Sequence, residues 1–241
     1  MHYCVSDIHG CYKEFIKLMD MIGFGEDDTL YVIGDVVDRG PEPVKLLYWM
    51  MKRPNVKTIL GNHEYMMMKV LLPGLKEVDS VEAIEKTLTL DYIWDTNVWF
   101  FSDNGGKITA DVFKQLKEYE RQDLLDYVKN FSLYDSVTIN DKTYVMVHTI
   151  DDSIKSLKDL KEKEITDLEA FLNSRPTFEG NWDQDDIFVI GHTPTWFLGK
   201  KDCTIYRNGN LVNIDCGCSM GGNLAAICLE TGEEFYVPGN Q

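Results

Sequence analysis

Positive charge is scarce in this chain. Its 241 residues carry 24 Lys and Arg against 40 Asp and Glu, a formal net charge of -16. Such a surface repels a phosphate backbone, which argues against general nucleic-acid binding. It would also slow the approach of an anionic substrate unless bound cations inverted the charge locally. Long apolar runs are missing too: no stretch of 18 or more apolar residues reads as a membrane span. Met1-His2-Tyr3-Cys4-Val5 passes into the first polar motif without a basic-plus-apolar leader. A cytoplasmic protein with no membrane partner is therefore the expectation. The six cysteines (Cys4, Cys11, Cys203, Cys216, Cys218, Cys228) contain no CxxC pair. Cys216-Gly217-Cys218 could turn two thiols to one side of a strand, but further zinc ligands are missing nearby, so reduced structural cysteines are expected.

What is present bounds the architecture. At 44% hydrophobic residues the chain can bury a core, and its length suits one domain with an insertion. Strand-like runs at Tyr3–Ser6, Leu30–Ile33 and Lys57–Leu60 alternate with helix-like stretches at Tyr12–Met21 and Pro43–Lys52, which reads as α/β around a central sheet. From about residue 65 to 131 the pattern turns helical and charged, predicting a helical insertion over the site. Within it, Trp94, Trp99, Phe100 and Phe101 read as core, and Met66-Met67-Met68 as the packed start of a helix. Strands resume at Tyr134–Ile139 and Thr143–Val147 around an Asn140-Asp141 turn. Ser153–Asn173 reads as a charged helix with a solvated face. Ile187–Ile190 reads as a buried strand. Thr204–Arg207, Leu211–Ile214, Leu224–Leu229 and Glu233–Val237 read as a closing antiparallel meander with turns at Asn208-Gly209 and Thr231-Gly232. No repeat, low-complexity tract or linker interrupts the chain.

The five histidines are few but informatively placed. Three sit in polar patterns: Asp7-Ile8-His9-Gly10, Gly61-Asn62-His63-Glu64 and Gly191-His192-Thr193-Pro194. His148 ends an apolar run, and Gly34-Asp35-Val36-Val37-Asp38-Arg39-Gly40 lies between the first two patterns. Nearly all follow a strand-like stretch, so they gather at the carboxyl ends of strands, where open α/β sheets bind ligands. Asp7 and His9 could reach one ion, and a carboxylate with an imidazole suits Mn, Fe or Zn. Asp35 could bridge two cations through its two oxygens. Asn62 offers a neutral amide oxygen. His63, oriented by a carboxylate such as Asp38, could serve as a general acid. Taken singly each pattern has a plainer reading: a capping Asp, a polar turn, a satisfied histidine at a strand end. Their accumulation in one sheet favours a two-metal hydrolase.

These motifs, in this order, resemble the phosphoprotein phosphatase branch of the calcineurin-like metallophosphoesterases, in particular its short bacterial and phage serine/threonine protein phosphatases. The resemblance spans about Tyr3 to Leu229, because Asn213-Ile214-Asp215-Cys216-Gly217 and Gly221-Gly222-Asn223-Leu224 also look like that family's tail. It implies a β-sandwich flanked by helices and a dinuclear centre of divalent transition metals, manganese foremost, with Fe, Zn, Ni or Co admissible. It implies that Asp7 and His9 hold the first metal, Asp35 bridges, and Asn62, His148 and His192 hold the second. His63 with Asp38 would then be the proton-donating pair. Arg39 would grip the phosphate, with Asn62 beside it. Arg175, in Leu172-Asn173-Ser174-Arg175-Pro176, loosely matches the family's second arginine but lacks the usual tryptophan. At the fourth motif, His148-Thr149-Ile150 replaces the common His-Ala-Gly or His-Gly.

The activity expected from this resemblance is hydrolysis of phosphomonoesters of a phosphorylated protein by a metal-bridging hydroxide. The alternative is a symmetrical bis(5'-nucleosyl)-tetraphosphatase, which shares the motifs and takes a nucleotide. A non-catalytic metal-binding scaffold is a third possibility, opposed by the complete ligand set. The five motifs do not separate the first two activities, and the helical insertion is expected to decide between them.

Overall fold

The computed structural model describes residues 1–74, 90–182 and 185–239. Two five-stranded mixed sheets form the frame. The first is built from β1 (His2–Ser6), β2 (Thr29–Ile33) and β3 (Val56–Ile59), joined by α1 (Tyr12–Ile22) and α2 (Pro43–Met51). Their register is parallel, with Tyr3 beside Leu30 and Leu30 beside Val56. Pro43 opens α2, where a missing N–H costs nothing, and Gly23 closes α1 with φ 62°.

The second sheet contains β4 (Tyr134–Ile139), β5 (Lys142–Val147), β6 (Asp186–Ile190), β7 (Tyr206–Asn208) and β8 (Leu211–Asn213), in the order β4-β5-β6-β8-β7. The Asn140-Asp141 turn has φ 50° and 61°, the left-handed pair of a tight hairpin. Strands β9 (Asn223–Cys228) and β10 (Glu234–Pro238) return to the first sheet, whose order is β10-β9-β1-β2-β3.

The expected meander is therefore two hairpins in two different sheets. The expected turn forms one residue on, at Gly209-Asn210, but β8 lies parallel to β6, while β9 runs antiparallel to β1. The link between them crosses from one sheet to the other through Gly217 and Gly221, at φ 73° and 84°. Local turn chemistry fixes a hairpin; it does not say which sheet edge the hairpin joins. The expected helix over Ser153–Asn173 also divides. Leu157–Glu162 and Leu168–Leu172 are separate helices, each with its own N-cap: Ser156 Oγ accepts from Asp159 N at 3.1 Å, and Asp167 Oδ1 accepts from Ala170 N at 2.9 Å.

Strand alternation sorts the core into two layers. Tyr3, Val5, Leu30, Val32, Val145, Val147, Phe188 and Ile190 face the helices. Cys4, Tyr31, Ile33, Met146, Val189, Val212, Ala225 and Ile227 pack between the sheets. Strands buried on both faces explain the nearly unbroken apolar runs in the sequence.

Between β3 and β4 the described chain is helical: α3 (Asn62–Gly74), α4 (Leu90–Thr96), a π-helical turn (Asn97–Phe101), α5 (Gly106–Phe113) and α6 (Glu118–Lys129). Residues 75–89 of the expected insertion lie outside the described residues. Met66 and Met67 are buried at the start of α3, as expected. The aromatic expectation is corrected in part. Trp99 is fully buried, but Trp94 is 69% and Phe101 73% exposed. A single layer of helices has only one inward face, and α4 has no fully buried residue. Among the described residues, no helix is long and apolar enough to cross a membrane.

Candidate active site

Every motif lies just beyond the carboxyl end of a strand: Asp7 and His9 after β1, Asp35 to Arg39 after β2, Asn62 and His63 after β3, His148 after β5, His192 after β6. Asp7, His9, Asp35, Asp38, Arg39 and His192 all have positive φ, between 45° and 72°. Such angles are uncommon for residues with a side chain and persist where neighbours over-determine them. Here the first two loops brace one another. Asp7 N donates to Gly34 O (3.1 Å), His9 N to Asp35 O (2.9 Å), Gly10 N to Val36 O (2.8 Å) and Gly40 N to His9 O (2.9 Å). The approach requires glycine at position 40, where a Cβ would stand 2.2 Å from His9 O.

The side chains then form two clusters that share Asp35. His9, Asp35 and His63 offer donor atoms within 4.8 Å of one another, as do Asp35, His148 and His192. Asp35 Oδ2 faces His9 Nε2 at 3.7 Å and His63 Nε2 at 3.9 Å, while its Oδ1 lies 3.5 Å from His148 Nε2. Asn62 Oδ1 completes the second cluster, 3.0 Å from both His148 Nε2 and His192 Nδ1. Asp7 stands outside both clusters; its two oxygens accept from His192 N, each at 3.1 Å.

Proton accounting supports a fit to cations. A carbonyl only accepts, so His9 Nδ1 donates to Val37 O (2.8 Å) and His148 Nδ1 donates to Ile33 O (3.1 Å). Each then carries its lone pair on Nε2, directed into the site. His148 Nε2 and Asn62 Oδ1 are thus two acceptors in contact, and His192 Nε2 is buried with no hydrogen-bond partner. Burial pushes the imidazoles of His9 and His192 well down and that of His148 down to about 4, which keeps them neutral and able to ligate; burial lowers His63 as well. Burial, then repulsion from Asp215 and Asp35, pushes Asp7 well up; burial and Glu64 do the same to Asp35. A buried crowd of carboxylates and lone pairs is costly alone and is relieved by divalent cations.

Beside this lies a third group. His63 Nδ1 is 2.7 Å from Asp38 Oδ2. Arg39 reaches over the first cluster, donating to His9 Nε2 at 2.8 Å and to His63 Nε2 at 3.2 Å.

Residues 3–216 match the family described as calcineurin-like phosphoesterase. The chain belongs to that family. This phosphoesterase is 24% identical to the symmetrical bis(5'-nucleosyl)-tetraphosphatase of Nitrosomonas europaea, over 98% of this chain and 97% of that one. Its fold is similar to that of a candidate diadenosine tetraphosphatase, with a TM-score of 0.63 and 17% identity over 99% of this chain and 93% of the other. A serine/threonine phosphatase from Saccharomyces cerevisiae shares the fold at a TM-score of 0.55 and 16% identity, over 100% of this chain and 79% of the other. The family uses a dinuclear divalent metal centre, and the clusters around Asp35 supply His and Asp donors for one.

Arg175 is the expected site residue that the structure leaves most open. It is exposed, with its guanidinium 3.5 Å from Asn173 O, yet its charge helps depress His148 and His192. Its segment is tied to the fourth motif, because Thr149 Oγ1 donates to Ser174 O at 2.8 Å. Thr149 thereby anchors the Arg175 loop.

Four residues near the phosphoesterase site were given no role by the sequence. Glu64 is fully buried; its carboxylate accepts from Asp35 N (2.8 Å), Val36 N (2.7 Å), Val37 N (3.1 Å) and Gly61 N (3.1 Å), so it clamps the second loop to the start of α3. It stands inside the quoted Gly61–Glu64 motif, which was a usable signal. Asp215 is buried beside Asp7 and is pushed up to about 6 by burial. Trp99 and Thr109 both reach Asp38, and nothing local in the sequence signals that contact.

Proposed function

We infer that this phosphoesterase hydrolyses a dinucleoside tetraphosphate symmetrically. The observation that carries the reading is the end-to-end similarity to a bis(5'-nucleosyl)-tetraphosphatase over 98% of this chain.

In this reading Asp7 and His9 would hold one cation, Asn62, His148 and His192 the other, and Asp35 would serve both. When bound, the cations supply Lewis acidity and lower the pKa of water, with manganese the expected ion. The protein's own residues do the rest. Arg39 leaves the two imidazoles and takes phosphate oxygens through its planar fork, with Asn62 beside it and Arg175 steadying the outer part of the chain. The water oxygen bonds to phosphorus in line as the bridging P–O bond breaks, and the electron pair leaves on the departing nucleotide. Asp38 accepts from His63 Nδ1–H and so aims Nε2 at the reacting group; the imidazolium form, whose charge Asp38 offsets, passes its Nε2 proton to the departing oxygen and remains as the neutral Nδ1–H tautomer. A nucleoside diphosphate leaves readily, so this proton matters less here than for an alkyl phosphate.

Serine/threonine protein phosphatase activity is the second reading, since the Gly34–Gly40 and Gly61–Glu64 motifs fit it equally. Manganese-loaded protein incubated with diadenosine tetraphosphate and, separately, with a phosphoserine peptide separates the two. Conversion of the dinucleotide to ADP alone is expected, read by chromatography. Release of phosphate from the peptide with the dinucleotide untouched would reverse the assignment.

A further inference from the structure

The carboxylate of Asp38 is fully buried and is held from three directions. Its Oδ2 faces His63 Nδ1 at 2.7 Å and accepts from Trp99 Nε1 at 2.8 Å; its Oδ1 accepts from Thr109 Oγ1 at 2.6 Å. The same threonine hydroxyl accepts from Asp38 N at 2.9 Å, so it fixes backbone and side chain together. Trp99 lies in the π-helical turn and Thr109 in α5, 61 and 71 residues from Asp38. Both are fully buried.

We propose that Trp99 and Thr109 are positioning residues for proton delivery: donors from the helical segment hold Asp38, and through it orient His63. This rests on the reading of His63 and Asp38 as the proton-donating pair. An indole N–H can only donate. Its bond to Oδ2, with the Thr109 hydroxyl on Oδ1, favours the ionised, acceptor-only carboxylate, which places the proton shared with His63 on Nδ1. His63 Nε2 is then the nitrogen directed into the site. The hydroxyl on Oδ1 stops the carboxylate rotating about its Cβ–Cγ bond.

The chain around these donors is shaped to bring them in. Gly106 has no Cβ because one would meet the Trp99 ring at 2.5 Å. Gly105, at φ 79°, passes so close to Arg39 that a Cβ would lie 2.8 Å from its N. The Asn104-Gly105-Gly106 stretch, which the sequence offers only as a helix breaker, thus lets the segment close over the Asp38-Arg39 loop.

The test uses full-length, manganese-loaded protein and aryl phosphates of rising leaving-group pKa, from p-nitrophenyl to phenyl phosphate. A proton donor matters more as the leaving group becomes poorer. For Trp99→Phe, kcat on phenyl phosphate should fall about 10-fold, as loss of a hydrogen bond to a charged group implies. KM should hold within about twofold, and the fall on p-nitrophenyl phosphate should stay under about threefold. Thr109→Val should behave likewise, and Thr109→Ser, which keeps the hydroxyl, should recover wild-type rates. Gly106→Ala, which displaces the indole without touching Asp38, should mimic Trp99→Phe. Equal slowing on all leaving groups, or lost metal by elemental analysis, would reduce both residues to packing and overturn the proposal. Should Trp99→Phe fail to fold, the Val and Ser pair at position 109 decides alone. His63→Asn separates the two levels. If it shows no leaving-group dependence, the underlying reading of the pair has failed. If it does while the Trp99 and Thr109 variants do not, only the positioning role has.

Discussion

Two regions converge on Asp38, and they are written in different ways. The loops after β1, β2 and β3 carry their polar residues within short stretches, and their backbones bond to one another directly, as in His9 N to Asp35 O. The helical segment between β3 and β4 contributes single side chains, Trp99 and Thr109, from an otherwise ordinary helical pattern. The first region holds its geometry by backbone strain and mutual bracing; the second holds the carboxylate by reach across the fold. The contrast suggests that metal chemistry depends on the loops and proton delivery on both regions.

Breaking the loops should have the largest effect. Asp35 serves both clusters, so Asp35→Asn is expected to lower bound metal below one equivalent and kcat by about 1,000-fold or more, consistent with several kcal/mol of charge stabilisation from metals. Elemental analysis alongside the rate checks it; full metal content would show that the oxygens of Asp35 are not shared. Next is His63→Asn, which should leave metal content unchanged and cut kcat on phenyl phosphate by about 100-fold. The same variant should lose less on diadenosine tetraphosphate, whose leaving group needs no proton. Loss of metal in that variant would instead make His63 a ligand, as its 3.9 Å distance from Asp35 Oδ2 allows.

Variants in the second region come next in size, at about 10-fold for Trp99→Phe. Arg175→Ala is expected to raise KM by about three- to tenfold with little change in kcat, because an exposed guanidinium contributes binding that is screened by water. A kcat loss as large as that of Arg39→Ala would place Arg175 on the reacting phosphate. The smallest effect is expected on the outer face. Trp94→Ala should change the unfolding free energy by no more than about 0.5 kcal/mol, as is usual for exposed positions. A larger loss in thermal unfolding would return this ring to the core.

The architecture was readable where neighbouring segments pair. β1, β2, β3, β5 and β6 fall close to their apolar runs because parallel strands buried on both faces need such runs. The hairpin turns around Asn140-Asp141 and Gly209 were readable because left-handed backbone selects those residues. What was not readable was the destination of the last two hairpins, since the alternation of β9 is satisfied in either sheet. The division of Ser153–Asn173 into two helices was available in Ser156 and Asp167, both capping residues, but was masked by continuous charge. The outward turn of Trp94 and Phe101 was hidden because aromatic content says nothing about which face a thin layer buries.

The sequence alone determined the residues offered to the site, because strand-end motifs are local: a short apolar run and the turn after it place a side chain whatever else the chain does. It also carried Glu64, whose partners are the backbone of a loop read from the same motifs. Only the tertiary structure decided how the side chains share one another. That Asp35 faces two clusters, that Asp7 braces His192, and that an indole from residue 99 meets a carboxylate at residue 38 depend on distances between segments far apart in the chain. Such distances are set by how two sheets and a layer of helices pack, a property of the whole core that no single stretch encodes.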